Sequence, residues 1–178
     1  LTVRLCCYVV LAHTPYAYAN TVYDLTQASI IDGVTELCQL ADQNLSYAYN
    51  LVYTKITNEN CSELSSATEF FFNDPPDHLI VQDKAALALE LRSAWVDLAE
   101  SITWLLILFS IEVVVWLQDR DVTSGLFIRV ANTVKVLLYS LLWFAIGYWI
   151  LLGHYMFAWD EFVWIVGCLL YTSDAADE

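Results

Sequence analysis

Apolar residues gather in long unbroken runs in the second half of the chain and in short, interrupted ones in the first. Residues 102–118, ITWLLILFSIEVVVWLQ, hold a single charge, Glu112. At 1.5 Å per residue they make a helix of about 25 Å, and adding Leu98 and Ala99 brings it up to the thickness of a bilayer's hydrocarbon. A second run over 134–152 carries only Lys135 as a charge, and a third begins at Phe162. No Gly or Pro interrupts residues 79–118, so the pattern predicts one helix from about Leu79 that leaves water near Trp95 and ends at Gln118. Upstream, Ile31, Val34, Cys38, Ala41, Leu45, Ala48 and Val52 recur at alternating spacings of three and four. That predicts one apolar stripe on an amphipathic helix. Cys and Ala at its centre make a poor coiled-coil seam, which favours packing within its own domain, and Gly33 weakens the helix near its start.

Shorter signals fill the rest. Asn58-Glu59-Asn60 reads as a turn, residues 62–72 as a short helix capped by Ser62, and Asn73-Asp74-Pro75-Pro76-Asp77 as its end. Phe70, Phe71 and Phe72 read as core residues of that domain. Leu126, Phe127, Val130 and Val134 have helical spacing and suit a segment lying in the membrane interface, with Arg129 on its wet side. Residues 153–161 form an aromatic, acidic turn.

The fold class predicted is all-α: a multi-pass helical membrane protein with an N-terminal exported helical domain. Residues 1–19 read as a signal peptide, with Arg4, an apolar run over 5–12, Pro15 ending the helix, and Ala17-Tyr18-Ala19 before cleavage at Asn20. An uncleaved anchor or a buried strand are the alternatives. The chain opens on Leu, so either the charged leader is shortened or an alternative start codon is written literally. Residues 20–93 are then an acidic helical extracytoplasmic domain. Residues 94–167 are the membrane domain, with spans at about 99–118, 134–152 and 162–167.

Composition sharpens this picture. Mean hydropathy is +0.51, and all seven tryptophans lie at or after Trp95, as expected for rings seated between hydrocarbon and headgroups. The net charge of −14 gives no footprint for nucleic acid and no overall basic surface for anionic lipid. Arg120, Arg129 and Lys135 flank the first inter-helix loop, whereas the second holds Asp160 and Glu161 and no base. The positive-inside rule therefore puts loop 119–133 in the cytoplasm and residues 20–93 outside, in agreement with a signal peptide. A bacterial inner membrane is the expected setting, with the lipid bilayer, another envelope protein or a second copy as partners.

The final eleven residues, CLLYTSDAADE (168–178), resemble the conceptual translation of a transposase-type sequencing adapter. They are set aside as a non-native tail, which leaves the third span cut short at Gly167.

Candidate chemistry is sparse. With Cys6 and Cys7 in the leader and Cys168 in the tail, Cys38 and Cys61 remain as a possible disulfide. An unbroken helix over 25–56 would put Cys38 about 27 Å from the helix end. The helix must then break near Asp42-Gln43-Asn44, or the bridge is absent or intermolecular. Glu112 lies about 9 Å inside its span and needs a partner or a proton; Lys135 and Tyr139 are the candidates, as an interhelical clamp or, less favoured, part of an ion path. Adjacent Asp160 and Glu161 diverge on a helix and suit a boundary better than paired acid–base work. His78 and His154 stand without metal-ligand spacing, and no phosphate-binding or nucleophile-elbow motif is present. Asn44-Leu45-Ser46 and Asn60-Cys61-Ser62 match the glycosylation sequon. No catalytic, cofactor-binding or metal residue is assigned. The expected function is a structural or interaction role in the cell envelope; the alternatives are a small channel or transporter component using Glu112, or a membrane enzyme whose catalytic part lies beyond the truncation.

Overall fold

The structure, a computed structural model, describes residues 2–73, 79–120, 122 and 124–177, with side chains from residue 12 to residue 167 of these. The chain divides into two compact units, His13–Leu98 and a second formed by Leu1–Ala12 with Ala99–Glu178. It is mixed α/β, which overturns the all-α expectation.

The first unit holds a five-stranded sheet built from β1 (Ser29–Ile30), β2 (Ser46–Tyr49), β3 (Val52–Lys55), β4 (Phe70–Phe72) and β5 (Ile80–Asp83), in the order β1-β4-β5-β2-β3. β2 and β5 pair in parallel and every other pair is antiparallel. Tyr47, Tyr49, Val52, Tyr53 and Thr54 supply the aromatic and β-branched side chains that strands favour. Tyr49 pairs with Val52 across a two-residue turn, Asn50-Leu51, in which both residues have positive φ (50° and 62°). That is the conformation a tight hairpin requires; Asn tolerates it and Leu rarely adopts it.

The predicted stripe fails for a definable reason. Gly33 and Asn44 take left-handed conformations (φ 80° and 55°) that end any right-handed helix between them. Only a short 3-10 turn, Leu37–Leu40, survives. Val52, on the stripe, is 60% exposed, while Leu37, Leu40, Tyr47 and Ile56, off it, fill the core. The helix expected over 62–72 is likewise reduced to α2 (Cys61–Leu64), and the three phenylalanines become strand β4. Phe70 enters the core and Phe72 packs against it. The Asp74–Asp77 part of the predicted break, and His78, fall outside the described residues.

Helix α1 (Thr2–Thr26) runs through Pro15, so the proline does not end it as expected. Near its end Val22 and Leu25 pack with Ala94, Leu87, Leu91 and Leu98. These partners lie on α3 (Lys84–Gln118). α3 starts five residues later than predicted because β5 occupies residues 80–83. Asp83 caps it: its Oδ1 accepts from the N–H groups of Ala85 (3.0 Å) and Ala86 (2.9 Å), satisfying two of the donors a helix start leaves open.

In the second unit α4 (Leu126–Leu151) joins the predicted interfacial segment and span into one helix. It ends at Gly153, whose φ of 81° suits the position. The Gly153 N–H donates to Ile150 O and the His154 N–H to Trp149 O, the paired bonds of a Schellman stop. α5 (Tyr155–Asp177) follows. Two helices, α3 and α4, are long and apolar enough to cross a membrane; the three spans of the sequence reading reduce to these two among the described residues.

Candidate functional site

In the second unit α3 turns Glu100, Thr103, Ile107 and Ser110 inward, at spacings of three and four, and leaves Ile102, Leu106 and Phe109 exposed. The Thr103 and Ser110 hydroxyls donate back to the carbonyls of Ala99 and Leu106, each at 2.7 Å. α4 buries Leu138, Leu142, Ala145, Ile146 and Trp149 and exposes Val136, Leu137, Leu141 and Phe144. Within the apolar windows of α3 and α4, 22% and 33% of the residues are buried within the chain, whereas the core helix of a water-soluble fold is mostly covered.

Two indole–carboxylate bonds tie these helices. Trp149 of α4 donates its Nε1–H to Glu100 Oε1 of α3 at 3.0 Å, and Trp104 of α3 donates to Glu161 Oε2 of α5 at 3.0 Å. Glu100 and Trp104 stand one turn apart on α3, so a single stripe of that helix is braced to both neighbours. The Trp149 ring lies 5.4 Å from that of Phe157, and Trp143 meets Phe162 edge-on at 5.9 Å. A buried indole N–H seeks an acceptor, and polar side chains serve as interhelical glue where water is scarce.

The sequence-predicted residues Glu112, Lys135 and Tyr139 lie on α3 and α4. Glu112 on α3, and Lys135 and Tyr139 one turn apart on α4, are each half-buried. The carboxylates bonded across helices by tryptophan are Glu100 and Glu161, the second of which the sequence assigns to a boundary. The available signal was the tryptophans, whose N–H groups have few acceptors in so apolar a stretch.

In the first unit the structure joins Cys38 of the 3-10 turn to Cys61 of α2 by a disulfide with Cα atoms 4.9 Å apart. The break in the chain at Asn44 removes the distance objection. Asn60 is engaged, its Nδ2 donating to Lys55 O and its Oδ1 accepting from the Thr57 N–H; Asn44 is exposed.

An open cleft of about 620 Å³ is lined by Tyr47, Glu63, Ser65, Thr68, Asp83 and Lys84, among others. Its centre is Asp83, whose Oδ2 accepts from the Tyr47 hydroxyl (2.8 Å) and the Ser65 hydroxyl (2.6 Å). Burial pushes the Asp83 carboxyl upward, but the bonds from Ser65, the Ala86 amide, Tyr47 and the Ala85 amide bring it below the usual range. The Tyr47 hydroxyl is held well above its ordinary value, first by burial and then by donating to Asp83. Asp83 thus spends both oxygens on structural donors, and no histidine lies among the cleft's lining residues. The geometry describes a helix cap fastened to the sheet rather than a nucleophile and base.

Among the described residues no group of three or more His, Cys, Asp or Glu is placed to hold a metal ion. No family model matches the chain, and no curated protein and no solved structure matches it.

Proposed function

We propose that the chain is an integral membrane protein with a structural or interaction role in the cell envelope. In this reading α3 and α4 cross the bilayer, and the disulfide-linked sheet unit is displayed on the non-cytoplasmic side. One observation carries it: the helical unit exposes large apolar side chains along α3 and α4 and buries three polar ones beside its apolar interior. Glu100, Thr103 and Ser110 are buried while Phe109, Phe144 and Leu137 are exposed, the arrangement that suits hydrocarbon and not water. The disulfide supports an oxidising side for the sheet unit, and Arg120 and Arg129 support a cytoplasmic side for the loop between α3 and α4. A bacterial inner membrane meets both conditions. Strand β3 supports an interaction role, because it is a sheet edge that exposes Val52 and Tyr53 to an envelope partner or a second copy.

The test uses the full chain with Cys6, Cys7 and Cys168 changed to alanine. Glu59→Cys and Ser124→Cys are introduced singly and treated in intact cells with a membrane-impermeant maleimide. The expected outcome is retention in carbonate-washed membranes, labelling at position 59 and protection at 124. Release by carbonate would overturn the membrane reading; the reverse labelling pattern would overturn the orientation.

A further inference from the structure

The sheet unit carries both glycosylation sequons of the chain, Asn44-Leu45-Ser46 and Asn60-Cys61-Ser62. The motif asks for an asparagine amide in a surface segment with a hydroxyl two residues on. The two asparagines meet that demand differently. Asn44 closes the turn that leads into β2, is exposed, and has a positive φ of 55°, a conformation asparagine tolerates. Its neighbour Leu45 is the residue that enters the core, at 5% exposure. Asn60 is committed to its own turn. Its Nδ2 donates to Lys55 O and its Oδ1 accepts from the Thr57 N–H, both at 2.9 Å. Cys61 beside it is buried and bridged to Cys38. A sugar on the Asn60 nitrogen would crowd that turn and the bridge, whereas one on Asn44 reaches solvent.

Charge separates the two sites as well. Asp42 stands two residues before Asn44, and Asn58 holds the same place before Asn60. Bacterial oligosaccharyltransferases read an acid at that place in addition to the sequon itself. The order of folding leaves time for the reaction. Ser46 pairs with Ile80 of β5, and its N–H donates to Leu79 O. The closed sheet therefore holds part of the motif, but β5 lies more than thirty residues further along the chain. The acceptor is open while the chain emerges from the membrane and β5 has not yet joined β2.

We propose that Asn44 is an N-glycosylation site, modified on the non-cytoplasmic side from a lipid-diphosphate-linked oligosaccharide. In the transfer the Asn44 amide nitrogen bonds to C1 of the first sugar and gives up one proton. The bond from C1 to the diphosphate oxygen breaks, and the lipid diphosphate leaves with that electron pair. This rests on the exported reading of the sheet unit and adds a covalent modification to it.

The test produces the full chain in bacteria supplied with a periplasmic oligosaccharyltransferase and its lipid-linked oligosaccharide, and reads intact mass and glycopeptides. One glycan is expected, on the peptide that contains Asn44. It should be lost in Asn44→Gln and in Ser46→Ala, sharply reduced in Asp42→Asn, and kept in Asn60→Gln. Asn44→Gln and Ser46→Ala remove different atoms of the motif, so loss in both marks the sequon and not a folding defect. A wild-type chain left unmodified although Glu59→Cys is labelled from outside would overturn the proposal. So would a glycan on Asn60 in place of Asn44, or modification that persists undiminished in Ser46→Ala or Asp42→Asn. Protection of position 59 from the maleimide would instead overturn the exported reading, and the site with it, so the two failures are distinct.

Discussion

The two units differ in what they leave exposed. The sheet unit hides Leu37, Leu40, Ile56, Phe70 and Val81 and sets its acids on the surface, as a fold stabilised by withdrawing hydrocarbon from water does. The helical unit hides Ile107, Leu142, Ile146 and Trp149 together with Glu100, Thr103 and Ser110, and exposes Phe109, Phe144 and Leu151. Two indole–carboxylate bonds join its helices beside that apolar interior. On the membrane reading proposed above, one chain meets two solvents, water at the sheet unit and hydrocarbon at the helical unit. The disulfide belongs to this contrast. A unit of this size has a marginal core, and in water a cross-link that restricts its unfolded state contributes substantially, whereas the helical unit holds no disulfide among its described residues.

The sharpest way to break the comparison is to make one chemical change in both units. Phe70→Ala removes a fully buried ring and is expected to destabilise the sheet unit by about 4 kcal/mol. Phe144 is 76% exposed, and on the proposed membrane reading it meets lipid or detergent in the folded and the separated helices alike. Urea titration and detergent-denaturation curves measure the two, and comparable losses would remove the distinction between the solvents.

Next in size is the bridge. Reducing Cys38–Cys61, or replacing both with serine, is expected to lower the stability of the sheet unit by about 3 kcal/mol. Pulse proteolysis should then cut residues 29–73 far more readily and leave the α4–α5 helices as resistant as before.

Asp83→Ala comes third. Loss of the cap and of the acceptor for Tyr47 and Ser65 is expected to destabilise the sheet unit by about 2 kcal/mol, with Asp83→Asn losing less because it retains an acceptor for the cap. The same residue gives a pH signature. Its folded carboxyl titrates below its unfolded value, so its contribution is present above about pH 4 and is lost as pH falls further. Tyr47 is shifted upward, so its contribution is present below about pH 10 and is lost above that. Stability of the sheet unit should be flat between these limits, and Asp83→Ala should flatten the acid limb. The smallest effect is Phe144→Ala itself, expected to fall within about 0.5 kcal/mol.

The long apolar helices were legible because seventeen or more apolar residues in a row have few other structural uses. The sheet was not. Its strands run two to four residues, too short for alternation to stand out, and its hairpin turns on Asn-Leu where Asn-Gly would have announced it. The heptad-like spacing from Ile31 to Val52 was a coincidence of small apolar residues, and Leu37, Leu40 and Tyr47 contradicted it from within the same stretch. Pro15 misled in the other direction, since α1 accommodates it. The Trp149–Glu100 and Trp104–Glu161 bonds join residues 49 and 57 positions apart, a relation that local pattern does not encode. The cysteine pairing stayed open in the sequence only because a helix was assumed between the two residues.

The central claim is that the outer face of α4 meets hydrocarbon while the sheet unit meets water. Spin labels at Phe144→Cys and Tyr53→Cys, in the chain reconstituted into bilayers, test it directly through collision with oxygen and with a polar nickel chelate. The account predicts that oxygen dominates at position 144 and the nickel chelate at position 53. Ready access of the chelate to position 144 would contradict it.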